Sequence, residues 1–297
     1  MTPATAPDQP RLSHVECLHP QGLHRVACWQ WGDPLNSRVL VCVHGLSRQG
    51  RDFDVLAQAL CHHYRVVSVD VAGRGQSDWL PSPALYQVPQ YVADLVTVLA
   101  ALRADTIDWV GTSMGGLIGM GVAALHPRAL RRLVLNDVGP RIDAAALQRI
   151  GSYVGADPRF ASYEDARDHL WKLSQTFGAF TLAQWDALSR PMLREDPDGG
   201  ATPWKLHYDP AIGAAFRAVT PELAAAGEAQ LWEVYDRITA DTLLVRGADS
   251  DLLSRATADE MTRRGPKARL LEFAGVGHAP MFVAPEQVQA LSDFLLS

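Results

Sequence analysis

The sequence predicts an α/β chain: a mostly parallel sheet covered by helices on both faces, with a helical cap inserted after its middle strands. Three observations predict this. Short Val- and Leu-rich runs alternate with stretches whose apolar residues recur at helical spacing. That rhythm stops between about residues 140 and 238 and then resumes. A Gly-x-Ser-x-Gly turn stands between a strand run and a helix run.

The elements follow in order. Runs 15–18 and 23–31 lack an intervening helix, and the link around Gly22 is too short for a crossover, so they read as an antiparallel hairpin at one sheet edge. Next come a buried strand at 38–43 (RVLVCV), a helix at 52–60, a strand at 65–70 (RVVSVD) and a helix at 91–102. A strand at 107–110, a helix at 114–125 and a strand at 132–135 complete the first half. After the break come a strand at 242–245, a helix at 256–264, a strand at 269–273 and a last helix at 285–296. The expected organisation is therefore a flexible segment at 1–14, a core formed by 15–139 and 239–297, and a helical cap at 140–238. Within the cap stretch, Asp196-Pro197-Asp198-Gly199-Gly200 is a turn or mobile-loop signal.

Composition narrows the function. The chain has 297 residues, enough for one large core or a core with an insertion. Its net charge is -6, and no basic run exceeds Arg131-Arg132 or Arg263-Arg264, so no nucleic-acid partner is expected. No apolar run approaches the roughly 20 residues that span a bilayer, so no membrane role is expected. The start of the chain has neither the basic residues nor the apolar centre of a secretory signal. Cys17, Cys28, Cys42 and Cys61 form no CxxC pair and read as free thiols of a cytoplasmic protein. No HExxH, no Cys/His cluster and no GxGxxG turn appears, so neither a metal nor a cofactor is expected.

The chemistry centres on Gly111-Thr112-Ser113-Met114-Gly115. A strand-to-helix turn tight enough to project a side chain needs glycine on both sides of the nucleophile. Ser113 there also sits at a helix N-terminus, where unpaired N–H groups favour developing negative charge. Val43-His44-Gly45-Leu46 ends an earlier strand, and the amides of Leu46 and Met114 are the expected oxyanion donors. His44 itself reads as a loop brace. Gly277-His278-Ala279 follows the last strand, which places His278 to take the serine proton. The orienting acid is expected from Arg246-Gly247-Ala248-Asp249-Ser250-Asp251, with Asp251 favoured over Asp249, and Asp137 as a third option.

Taken together, these segments resemble the α/β-hydrolase superfamily in its capped, serine-nucleophile, carboxylesterase-like branch. The matching residues are His44-Gly45, the turn from Asp70 to Ser77, the elbow around Ser113, the acid loop near Asp251 and Gly277-His278. Their order, Ser then Asp then His, is also the family's. One departure stands out: where the commonest pattern has an aspartate three residues after the glycine, this chain has Ser250. The segment Gly73-Arg74-Gly75-Gln76-Ser77-Asp78 reads as turn geometry.

The resemblance implies an α/β-hydrolase fold and a small-molecule substrate. The leading expectation is hydrolysis of a small to medium carboxylic ester through an acyl-enzyme on Ser113. The alternatives are hydrolysis of a carbon–carbon bond in a diketone-like acid, hydrolysis of an amide or lactone, and a non-catalytic ligand receptor. Arg48 could hold a substrate carboxylate by a two-pronged contact; the competing reading pairs it with Asp52 or Asp54. Trp79, Trp171, Trp185 and Trp204 are candidates for lining an apolar pocket, although the cap's aromatics could equally form its own small core.

Overall fold

The computed structural model describes residues 9–126, 128–218 and 221–297. Strands β1 (Arg11–His19) and β2 (Gly22–Trp31) form the expected antiparallel hairpin, with His19 opposite Gly22. Six strands then run parallel to one another: β3 (Arg38–Val43), β4 (Arg65–Asp70), β5 (Thr106–Thr112), β6 (Arg132–Asn136) and two later ones described below. Between them lie helices α1 (Asp54–Leu60), α2 (Val88–Leu102) and α3 (Met114–Leu125). The segment expected to be flexible at 1–14 is in part paired: β1 begins at Arg11, and residues 1–8 lie outside the described ones.

The chain then leaves the sheet. It builds α4 (Ala144–Tyr153), β7 (Arg159–Phe160), α5 (Tyr163–Ser174), α6 (Leu182–Ser189), β8 (Leu193–Glu195), β9 (Trp204–Leu206) and α7 (Pro221–Asp236) before returning. This insertion differs from the helical expectation, because β7, β9 and β8 form a small antiparallel sheet. The Asp196–Gly200 signal marks the turn that joins two of those strands. Asp196 takes the amide of Gly199 on its carbonyl, and its carboxylate takes the Lys205 ammonium at 2.6 Å. Strands this short carry too few residues to show a two-residue period, so helical patterning dominates the sequence there.

The core resumes with β10 (Asp241–Gly247), α8 (Arg255–Met261), β11 (Arg269–Phe273) and α9 (Pro285–Leu296). The sheet order is β1-β2-β4-β3-β5-β6-β10-β11. Central strands are buried on both faces, which is why RVLVCV in β3 shows no alternation of polar and apolar residues. One apolar cluster fills the face under α2 and α3, and a second fills the face under α1 and α9. All four cysteines are buried, and burial raises the thiols of Cys17 and Cys28 to about 12 and that of Cys42 further, so these three are not ready nucleophiles. Among the described residues no helix is long and apolar enough to cross a membrane. Two consequences of the topology matter for the site. The strand ends at β3, β5, β6 and β10 are neighbours, and β6 and β10 lie side by side.

Candidate active site

Ser113 sits between β5 and α3 with φ 51° and ψ -116°, a backbone conformation that L-residues rarely adopt. The flanking glycines make this turn sterically feasible. A Cβ on Gly111 would fall 2.3 Å from the carbonyl oxygen of Gly115, and one on Gly115 would fall 2.0 Å from that of Val43. The elbow is pinned from the sheet side, where the Ser113 amide donates to the Asn136 carbonyl at 2.9 Å. The Asn136 side-chain amide donates to Thr112 Oγ1 and to the Pro280 carbonyl at 2.9 and 2.7 Å, which ties the elbow to the loop after β11.

That loop delivers His278. Ser113 Oγ lies 3.0 Å from His278 Nε2, and His278 Nδ1 lies 2.7 Å from Asp137 Oδ2. The three side chains therefore form one hydrogen-bonded line from hydroxyl to imidazole to carboxylate. Asp137 follows β6 directly and is fully buried. Its φ of 55° is a left-handed conformation that aspartate tolerates better than most residues. Two more donors fix its carboxylate: the Gly247 amide on Oδ1 at 3.0 Å and Ser250 Oγ on Oδ2 at 2.5 Å.

The favoured acid was Asp251, and the structure corrects that choice. Asp251 points to solvent and pairs with Arg149 at 2.7 Å, with both side chains more than two-fifths exposed. Asp249 is exposed as well. Adjacent strand ends explain the change. Because β6 and β10 are neighbours, the loops that follow them reach the same imidazole, and an acid on either can serve it. Here the inward position of the β10 loop is Ser250, which supports the carboxylate supplied by the β6 loop. The signal was present in the sequence as the missing aspartate at position 250.

The loop after β3 faces the elbow. Gly45 takes the Arg48 amide in a tight turn, and Leu46 and Met114 both line the cavity in front of Ser113. Their amides belong to the two segments that flank the serine. His44 is a brace: its Nε2 accepts the Val71 amide at 2.9 Å and its Nδ1 donates to the Gly45 carbonyl at 2.6 Å. Complete burial, with Arg74 and Arg48 nearby, pushes its imidazole down to about 3. Arg74 is a positioning residue that sequence reading treated only as part of a turn. It is buried, and its guanidinium donates to the Leu46 carbonyl at 2.8 Å and to the Tyr91 hydroxyl at 2.9 Å. A lone arginine within a glycine-rich turn was its only trace in the sequence.

The state of His44 gives a pH prediction for stability. The unfolded imidazole binds a proton near pH 6.5 and the folded one does not until about 3, so its contribution is complete above pH 6.5 and shrinks as pH falls. At pH 5 the loss from this residue is about 2 kcal/mol. Urea midpoints of wild type should therefore fall more between pH 7 and pH 5 than those of His44→Gln, and equal falls would contradict the buried neutral state.

Two cavities meet at Ser113, spanning about 730 and 850 Å³ when the space open to solvent is included. Both are lined by Leu46, Ser113 and Ile150. Neither is lined by Trp79, Trp171, Trp185 or Trp204, which corrects the expected pocket residues. Trp171 and Trp185 stack edge to face at 5.1 Å beside Phe180, and Trp204 packs on Tyr163 at 5.4 Å, so they form the insertion's own small core. Trp79 is partly exposed beneath the Arg194 guanidinium. The aromatic residues that do face the cavities include Phe53, Tyr153 and Phe177 on one side and Tyr86 and Tyr91 on the other. Arg48 lines the first cavity, but its fork is occupied by Asp52 at 2.7 and 2.5 Å, the pairing that competed with the carboxylate reading.

A serine elbow on this sheet, with a histidine on the loop after the last strand, defines a class. Residues 40–291 match the model of the alpha/beta hydrolase family, and the chain belongs to it. It is a hydrolase of that family, and some of its relatives are similar over nearly their whole length. The chain is 50% identical, over 96% of its length and 97% of the relative's, to the 3-hydroxybutyrate-oligomer hydrolase of Cupriavidus necator. Among solved structures it resembles a putative hydrolase from Rickettsia typhi, with TM-score 0.86, 29% identity and coverage of 97% and 99% of the two chains. An alpha/beta hydrolase from Novosphingobium aromaticivorans matches with TM-score 0.84, 31% identity and coverage of 97% and 98%.

Proposed function

We propose that this enzyme hydrolyses the ester bonds of short 3-hydroxybutyrate oligomers through an acyl-enzyme on Ser113. The observation that carries the chemistry is the line of hydrogen bonds from Ser113 through His278 to Asp137. The choice of substrate is supported by the half-identical relative, whose similarity spans nearly both whole chains.

The steps follow from the geometry. His278 Nε2 takes the Ser113 proton as Oγ attacks the ester carbonyl carbon, and Asp137 stabilises the imidazolium through Nδ1. The negative charge moves to the former carbonyl oxygen, facing the amides of Leu46 and Met114, an arrangement that contributes several kcal/mol to the transition state. The tetrahedral adduct collapses, the carbon–oxygen bond to the alcohol breaks, and Nε2 returns the proton to the departing oxygen. Water then repeats the sequence on the acyl-serine and releases the acid. Carbon–carbon cleavage of a diketone-like acid leaned on Arg48 as a carboxylate clamp, and the engagement of that fork by Asp52 weighs against it.

A substrate panel tests this reading. Linear 3-hydroxybutyrate dimers and trimers, and p-nitrophenyl esters of two to sixteen carbons, are compared by kcat/KM. Cavities of this size favour compact substrates, so the oligomers and short aryl esters should exceed the sixteen-carbon ester by at least about 100-fold, the ratio given by a few unaccommodated methylenes. Highest values at the long-chain end, with oligomers inert, would reject it.

A further inference from the structure

The two cavities that meet at Ser113 differ in chemistry. One carries His278, Arg48, Asp52 and Arg149 on its wall. The other is walled by residues such as Met114, Leu117, Val138 and Leu147, and among the described residues its lining has no charged one. We propose that this difference fixes the direction of the substrate: the acyl part lies in the apolar lobe, the alcohol part in the polar lobe, and Arg149 holds the carboxylate at the end of that alcohol. The proposal rests on the ester-hydrolase reading above and adds to it the end of the oligomer that is recognised.

Proton traffic sets the direction. The departing oxygen must receive its proton from His278 Nε2, so the alcohol leaves on the side that His278 lines. His278 lines the polar lobe and not the apolar one. In an oligomer of 3-hydroxy acids, the alcohol side of every ester leads to the free carboxylate, and the acyl side leads to the free hydroxyl. The charged end of the substrate therefore falls in the lobe that carries charge. Reversed binding would put a carboxylate against a wall with no cation among its described residues, at the cost of burying an unpaired charge.

Within the polar lobe, Arg149 is the better anchor. Arg48 and Asp52 are buried against each other and form a closed pair. Arg149, on α4, meets Asp251 through a single carboxylate oxygen, at 2.9 Å from Nε and 2.7 Å from a terminal nitrogen. Arg149 lines the lobe and Asp251 does not, and both side chains are close to half exposed. A solvent-exposed pair of this kind is weakly held. A guanidinium carries five N–H donors, so it can accept a second carboxylate without losing the first.

The test compares a 3-hydroxybutyrate trimer as free acid with its terminal carboxamide, which has the same shape without the charge, and with the hydroxyl end acetylated. Cleavage of the internal esters is followed by mass spectrometry for wild type, Arg149→Ala and Arg149→Lys. In wild type the acid should exceed the carboxamide in kcat/KM by about tenfold, the size of one charge-assisted contact, whereas acetylation costs less than about threefold. Arg149→Ala should bring the acid-to-carboxamide ratio near one, and Arg149→Lys should keep part of it. A wild-type ratio near one, a ratio unchanged in Arg149→Ala, or a larger loss on acetylation than on amidation would overturn the proposal. If no trimer is cleaved while p-nitrophenyl butyrate is, the ester-oligomer reading itself has failed, which is a different result from a trimer cleaved without regard to its charge.

Discussion

Ser113→Ala lowers turnover of every ester substrate by at least about 10³-fold while leaving the fold intact. The chemical step loses its nucleophile, and what remains is water attack assisted by the oxyanion donors and by binding. The substitution removes one oxygen from a partly buried position and leaves the backbone bonds of the elbow in place, including the Ser113 amide to Asn136. KM should change far less than kcat, since the hydroxyl contributes little to ground-state binding. Steady-state kinetics on p-nitrophenyl butyrate and on a 3-hydroxybutyrate trimer check this, with circular dichroism confirming the fold. A loss below tenfold in kcat would place the nucleophile elsewhere.

Asp137→Asn has the second large effect, a fall of about 10³- to 10⁴-fold in kcat. The carboxylate both selects the imidazole tautomer with the proton on Nδ1 and stabilises the cation formed when Nε2 takes the serine proton. An asparagine at 137 keeps the shape but loses the charge that faces His278 at 2.7 Å. Asp251→Asn should cost no more than about threefold, because Asp251 reaches Arg149 at the surface and not the imidazole. Ser250→Ala should fall between the two, since it removes one of the donors that hold the Asp137 carboxylate. Kinetics of the three variants on one substrate rank them directly, and a larger loss in Asp251→Asn than in Asp137→Asn would invert the assignment.

Much of this fold was legible because the signals were local. The apolar runs of β3 and β4, the helical spacing of α3 and the glycines around Ser113 each report on a stretch of a few residues. The antiparallel hairpin followed from a link too short for any other connection. His278 was found because its loop follows the last parallel strand, and sheet order does not change where that strand ends. The acid was not legible in the same way. Which of Asp137, Asp249 and Asp251 meets the imidazole depends on β6 and β10 being neighbours and on Asp137 adopting a left-handed backbone, and both are tertiary facts. The pocket residues failed for a related reason. A tryptophan at helical spacing packs equally well on its own helix neighbours or on a ligand, and Trp171 and Trp185 do the former. Arg74 was passed over because a buried arginine is defined by what surrounds it, and its acceptors lie on three separate segments.

The central claim is that Ser113 is a nucleophile activated by His278 and Asp137. Its most direct measurement is the rate of covalent labelling by a fluorophosphonate, followed by intact mass, because labelling needs the activated hydroxyl and no knowledge of the substrate. Wild type and Asp251→Asn should gain a single adduct at comparable rates, Asp137→Asn should gain it at least about 100-fold more slowly, and Ser113→Ala should gain none. An adduct on Ser113→Ala, or slow labelling of Asp251→Asn beside normal labelling of Asp137→Asn, would contradict it.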